Sequence, residues 1–216
     1  MYATSKKNKN LALFDFDGTL CSKDSFTGFI FHALSKRHII KQSIKILPWI
    51  QAYYLKAYPA PAMRSKLFRA MFSNADVLEL QQFAQHYASS LMSQLNPALL
   101  KQLRQHQALG DDVVLVSASI DVYLKAVCEL LDIALICTET EQINQVYTGQ
   151  YLTPDCSSEQ KKQRILEQYN VQEYAVIYAY GNSIEDYEML SLADYPYMMG
   201  VDKVLPPLPS DIQIAI

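Results

Sequence analysis

Short, unbroken apolar runs recur along this chain between stretches of helical period, and that alternation limits its fold more than any other feature. LALFDF at 11–16, VVLVS at 113–117, IALIC at 133–137 and YAVIYAY at 174–180 are too short for helices and carry no polar face. Runs of this kind are strands of a parallel sheet covered by helices on both sides. The pattern between them predicts helices at 97–109 (stopped by Gly110), from the second run to about 131, at 158–169 and at 184–192. VYTGQYL at 146–152 reads as an antiparallel hairpin or edge strand, and YPYMMG at 195–200 as a last strand. Residues 24–95 differ: they are rich in Phe, Tyr, Gln and Ala, show no strand pattern and are broken by Pro59 and Pro61, with a helix start at Ser73–Asp76. The expected class is therefore α/β, a Rossmann-like parallel sheet sandwiched by helices over residues 1–22 and 97–216. Residues 23–96 form an inserted α-helical cap.

Composition narrows the function classes. Half of the 216 residues are hydrophobic and the net charge is −3, so a polyanion-binding role with nucleic acid is not expected. Cys21, Cys128, Cys137 and Cys156 follow no zinc spacing and are expected as reduced thiols. The polar, basic MYATSKKNKN reads as a disordered lead-in without a signal-peptide run, and a cytoplasmic location follows as an expectation. Residues 39–58 are apolar in a helical pattern, but Lys41, Lys45, Pro48, Gln51 and Lys56 interrupt them. A transmembrane segment is not expected there; a pair of amphipathic helices is, with a surface for lipid or a greasy substrate as the alternative.

Four polar clusters follow the strands or precede the helices: Asp15–Thr19, Ser117–Ser119, Lys161–Lys162, and Gly181–Ser183 with Glu185 and Asp186. Ligands of open α/β sheets sit beyond the carboxyl ends of the strands, so this topology can gather all four.

FDFDGTL at 14–20 resembles the first motif of the haloacid dehalogenase superfamily of phosphatases and phosphotransferases, and VLVSAS at 114–119 resembles the second. The succession TET, YTG and PDCSSEQKK is similar to the phosphoserine-phosphatase-like subfamily, where it leads to the third-motif lysine. YGNSIEDYEML at 180–190 resembles the fourth motif, usually written GDSxxD. The order is kept over about residues 11–200.

The resemblance implies a Mg²⁺-dependent phosphatase acting on a small-molecule or lipid-linked phosphate. Asp15 would attack phosphorus and carry an aspartyl-phosphate; Asp17 would be the general acid, then the base. Ser117 would hydrogen-bond the phosphoryl group with Ala118 beside it, and Lys161, favoured over Lys162 by spacing, would neutralise charge. Gly18 would allow a tight bend with free N–H groups for phosphoryl oxygens. Asp24 stands where related enzymes place a substrate-binding Glu, but Asp is shorter, and a helix start with Asp24 or Ser25 as cap is the plainer reading. Asp15, the Asp17 carbonyl, Asn182 and Asp186 would hold Mg²⁺. Position 182 departs from the family's Asp, which implies weaker metal binding. A phosphotransferase, or a phosphoryl-binding regulatory protein with weakened catalysis, are the alternatives. Ser119 reads as a helix cap, and Arg64 and Arg69 as surface charge. No histidine is assigned a catalytic role.

Overall fold

The computed structural model describes residues 9–209, so the first eight residues of the expected lead-in lie outside it. Lys9 and Asn10 are already fixed: Lys9 pairs with Asp112 at 2.6 Å and the Asn10 carbonyl accepts the Asp112 N–H at 3.0 Å.

Five parallel strands form the sheet. In chain order they are β1 (Leu11–Phe14), β2 (Asp112–Ile120), β3 (Ala134–Thr138), β6 (Ile177–Gly181) and β7 (Tyr195–Met198), and in space they run β3-β2-β1-β6-β7. All four residues of β1 are buried, as a central strand of an all-parallel sheet requires. The chain builds outward from β1 to β3, then crosses back to place β6 on β1's other side. The crevice between the ends of β1 and β6 is thus the switch point of the sheet. The register of β2 against β3 shifts between Ser117 and Ile120, and such an irregularity re-aims side chains at a strand end. β6 starts three residues later than its apolar run, because Val171–Glu173 makes a 3₁₀ turn and Tyr174 hydrogen-bonds Asp112 at 2.8 Å.

The stretch between β1 and β2 holds α1 (Ser25–Ala33), α2 (Lys36–Tyr54), α3 (Ala60–Phe72), α4 (Val77–Leu91) and α5 (Pro97–Leu109). Residues 39–58 do not form two helices. α2 continues through Pro48, whose face is exposed, so water can satisfy the carbonyl left without a donor one turn earlier. Asp76 caps α4 through the Glu79 N–H at 2.9 Å, and Gly110 ends α5 at φ +78°.

The hairpin of β4 (Thr140–Ile143) and β5 (Val146–Tyr151) turns at Asn144 and Gln145, both at positive φ, and docks on the helical block. The Asn74 and Val77 N–H groups donate to the carbonyls of Tyr147 and Gln145 at 2.8 and 3.0 Å. Gly149 fits here for a steric reason: at φ +83°, a Cβ would lie 2.0 Å from the Ser73 hydroxyl. α6 (Asp121–Leu131) connects β2 to β3, and α7 (Glu159–Gln168) and α8 (Tyr187–Leu190) flank β6.

Candidate active site

Beyond the end of β1, Asp15 sits at the switch point, 6% exposed. Its Oδ1 accepts from Lys161 Nζ at 2.6 Å and its Oδ2 from the Thr19 hydroxyl at 2.8 Å. Lys161, in the first turn of α7 and 1% exposed, also donates to Asp186 Oδ1 at 2.6 Å. The other oxygen of Asp186 accepts the N–H groups of Asn182 and Ser183, both at 2.9 Å, and so shapes the turn after β6. Lys162 points elsewhere, 3.4 Å from the partly exposed Glu188.

Asp17 is held from two sides. Its Oδ1 accepts the Ser25 N–H at 2.6 Å and its Oδ2 the Ser119 hydroxyl at 2.5 Å. Ser119 therefore does not cap α6, whose N-cap, Ile120, has no side-chain hydrogen bond. The register shift in β2 turns Ser119 toward the first motif instead. The Ser25 hydroxyl in turn meets Tyr123 at 2.7 Å. Ser117, 1% exposed, accepts the Ser119 N–H at 3.1 Å. The Ala118 carbonyl accepts from Thr138 at 2.8 Å, and Thr138 accepts the Cys156 N–H at 2.9 Å, which ties the second motif to the segment that leads into α7.

Two expectations need correction. The N–H groups of Gly18, Thr19 and Cys21 are not free: they donate within the turn, at 2.7, 3.2 and 2.8 Å, because a bend this tight closes on its own donors. The glycine matters for space, since at φ +80° a Cβ would lie 2.0 Å from Asn182 Nδ2. Arg64 is not a free surface charge. It forks onto Asp155 with two contacts of 2.8 Å and reaches Glu185 at 3.1 Å, because α3 packs its basic side over the third- and fourth-motif loops. Arg69 is exposed. Asp24 reaches the same cleft, but it caps α1, accepting the Thr27 N–H at 3.0 Å and its hydroxyl at 2.7 Å.

The sequence offered a signal for Ser119, two residues from Ser117 on one extended strand. It offered none for Ser25 with Tyr123 or for Arg64 with Asp155, partners about a hundred residues apart that only the packing of the helical block unites.

The electrostatics follow from burial. Burial raises the Asp15 carboxyl from 3.8 to about 6 against the pull of Lys161, with Asp186 and Asp17 adding repulsion. Asp17 is raised by burial too, and the hydrogen bonds from Ser119 and Ser25 oppose it. Burial acts upward on Asp186 as well, but Lys161 and the two backbone N–H groups outweigh it and hold that carboxyl below its ordinary value. Lys161 is raised because its two carboxylates overcome its own burial.

Two carboxylates, those of Asp15 and Asp186, thus share one ammonium, and the Asp17 carboxylate stands near them with neutral partners only. No set of three His, Cys, Asp or Glu side chains among the described residues forms a ready metal cage. The donors present are hard oxygens, the excess charge is negative, and the Asn182 amide is packed against Gly18. Mg²⁺, which takes few protein ligands and keeps water, fits such a set.

A cavity of about 560 Å³ opens from these groups. Asp15, Ser117, Lys161 and Asn182 line its floor, and Phe26, Ile30, Ile39, Met63, Leu67 and Met71 of the helical block line its upper wall.

A model of haloacid dehalogenase-like hydrolases matches residues 12–191. The chain belongs to that family. Histidinol-phosphatase of Neisseria meningitidis serogroup C is 26% identical over 212 residues, covering 91% of this chain and 93% of the relative. Protein CicA of Caulobacter vibrioides is 27% identical over 191 residues, 85% and 83% of the two chains. Among solved structures, a protein of unknown function from Bordetella pertussis Tohama I superposes with a TM-score of 0.74 at 22% identity, over 89% of this chain and 90% of that one. A probable phosphoserine phosphatase from Vibrio cholerae superposes with a TM-score of 0.63 at 15% identity, over 89% and 56%. The parallel sheet with its flanking helices is the fold these solved structures share with this chain.

Proposed function

We propose that this hydrolase is a Mg²⁺-dependent phosphomonoesterase working through a phosphorylated Asp15. The observation that carries the reading is the position of Lys161, fully buried and 2.6 Å from both Asp15 and Asp186. A cation held there orients one carboxylate oxygen and offsets charge as an anionic phosphoryl group approaches.

The steps follow from the side chains. An Asp15 carboxylate oxygen forms a bond to phosphorus while the bond to the leaving oxygen breaks. Asp17, whose raised pKa keeps it protonated to higher pH, gives its proton to that oxygen. Ser119 and the Ser25 N–H hold Asp17 in place for this. Asp17 then takes a proton from water as the water attacks the phosphoaspartate, which releases phosphate and restores Asp15. Ser117 would hydrogen-bond the phosphoryl oxygens, with Ala118 beside it. Asp15, the Asp17 carbonyl and the Asn182 side chain would hold Mg²⁺, with Asp186 acting through Lys161 or a water. The ion supplies the positive charge that lets a carboxylate meet a phosphate.

The apolar upper wall suits a small phosphate ester whose alcohol has an apolar body. The test is hydrolysis of an aryl phosphate with Mg²⁺, together with acid-quench trapping of labelled phosphate on the protein. Wild-type protein is expected to turn over and retain label, and Asp15→Asn to lose at least about 10⁴-fold in kcat and all label. An Asp15→Asn protein that hydrolyses at the parent rate sinks the mechanism.

A further inference from the structure

The helical block has an odd charge. Between Ser25 and Ala75 there is no Asp or Glu, but there are eight Lys and Arg, in a chain whose net charge is −3. The same stretch exposes apolar side chains. Of the nineteen residues of α2 only Ile39 and Ile46 are buried, while Ile40, Ile44, Tyr54 and the following Leu55 are 61%, 66%, 78% and 79% exposed.

At 3.6 residues per turn these positions fall in order around the helix. Ile39, Ser43 and Ile50 face the cavity. Tyr54, Leu47, Ile40, Ile44 and Leu55 come next and form an exposed apolar arc. Arg37, Lys41 and Lys45 follow at its outer edge. Phe31 and Tyr54 are exposed and also line the cavity, so the arc runs into its mouth. No helix among the described residues is long and apolar enough to cross a membrane.

We propose that α2 is a docking surface for an anionic lipid bilayer, lying in the interface with the cavity mouth toward the lipid. An apolar arc beside a cationic arc on one helix is the pattern of an interfacial helix. The cations match an anionic headgroup layer, and the aliphatic residues match the acyl boundary beneath it. Nucleic acid would use the cations but leave Ile40, Ile44 and Leu55 without a role. The inference does not depend on the phosphatase reading.

Flotation with vesicles tests it, using the full chain with either neutral phosphatidylcholine or phosphatidylcholine mixed with phosphatidylglycerol. Binding is expected to the anionic vesicles only and to weaken with salt. Lys41→Gln with Lys45→Gln should weaken it about 25-fold, at about fivefold per cation. Ile44→Ser with Leu55→Ser should weaken it by at least about tenfold. These four side chains are exposed, so far-UV circular dichroism should match the parent. Absence of binding to either vesicle overturns the proposal, as does binding that both double variants leave unchanged. A dimer in light scattering that Ile44→Ser with Leu55→Ser abolishes, without vesicle binding, assigns the face to a second copy and also overturns it.

Discussion

The sheet and the helical block treat charge in opposite ways. At the carboxyl ends of β1 and β6, Asp15, Lys161 and Asp186 are nearly sealed from water and joined by contacts of 2.6 Å. Along α2, Arg37, Lys41 and Lys45 stand in solvent. Buried charges are strongly coupled, so loss of one leaves the others unpaired, whereas an exposed cation is screened and its loss is local. The difference separates a region that fixes the chemistry from one that tolerates change and can select a partner or substrate.

Replacing Lys161 with Met strikes the first region hardest. It leaves two buried carboxylates facing each other without a cation. Activity is expected to fall on the order of 10³-fold. Stability should fall by roughly 3–5 kcal/mol, read from urea unfolding at pH 7. Lys162→Met is the matched control, since its weak contact to Glu188 is partly exposed, and should stay within about 0.5 kcal/mol of the parent. Equal losses in the two variants would end the distinction between buried and exposed charge.

Proton linkage gives the next effect. In chelator-treated protein Asp15 has a folded value of about 6 against 3.8. Folding therefore favours the protonated acid, and the stability this group contributes is full below pH 3.8 and is lost as pH rises through 6. The whole change is on the order of 3 kcal/mol. Asp186 works the other way: its value is lowered, so its contribution is present above 3.8 and is lost as pH falls through that lower value. Asp15→Asn cancels only the first dependence. Relative to the parent it should gain stability between pH 4 and 7, by up to about 3 kcal/mol, in paired unfolding curves. A constant difference across that range would show that Asp15 is not destabilised by its burial.

Arg64 joins the two regions, with α3 on one side and Asp155 and Glu185 on the other. Arg64→Ala leaves Asp155 largely buried without its partner and should cost roughly 1–3 kcal/mol. The same variant should lower kcat/KM about tenfold, through looser placement of the apolar wall. Arg64→Lys should recover little, because an ammonium cannot make the two parallel contacts. Full recovery by lysine would mean that only charge, not the fork, matters.

How much of this was legible in the sequence divides along the same line. Strands with continuous apolar runs are set by local burial, so β1, β2 and β3 stood where the pattern put them, and Gly110 ended its helix for a backbone reason that needs no partner. The motif order gave the residues that the sheet then gathered at its switch point. What could not be read depends on the block's packing. Arg64 looked like a solvated cation because its acids lie far along the chain. Gly18 was read as leaving free N–H groups, but the turn uses them, and only the closeness of Asn182 shows why a side chain is excluded. The interruptions in 39–58 pointed to a pair of helices, yet the exposed position of Pro48 lets α2 continue as one.

The smallest effect concerns Asn182. Its amide oxygen can ligate a hard cation but carries no charge, so Asn182→Asp adds a fourth carboxylate to a group that has a single ammonium. Without metal, added repulsion with Asp17 and Asp15 should lower stability by about 1 kcal/mol. With metal, the greater ligand charge should reduce the Mg²⁺ concentration for half-maximal activity by about three- to tenfold. Thermal unfolding over a Mg²⁺ titration reads both without turnover: the variant should start lower and climb more steeply. The packing against Gly18 limits the gain, because an aspartate there must keep the amide's place beside the turn. A variant whose midpoint and Mg²⁺ response both equal the parent's would remove position 182 from the metal site, and the cation would have to be held by Asp15, the Asp17 carbonyl and Asp186 without it.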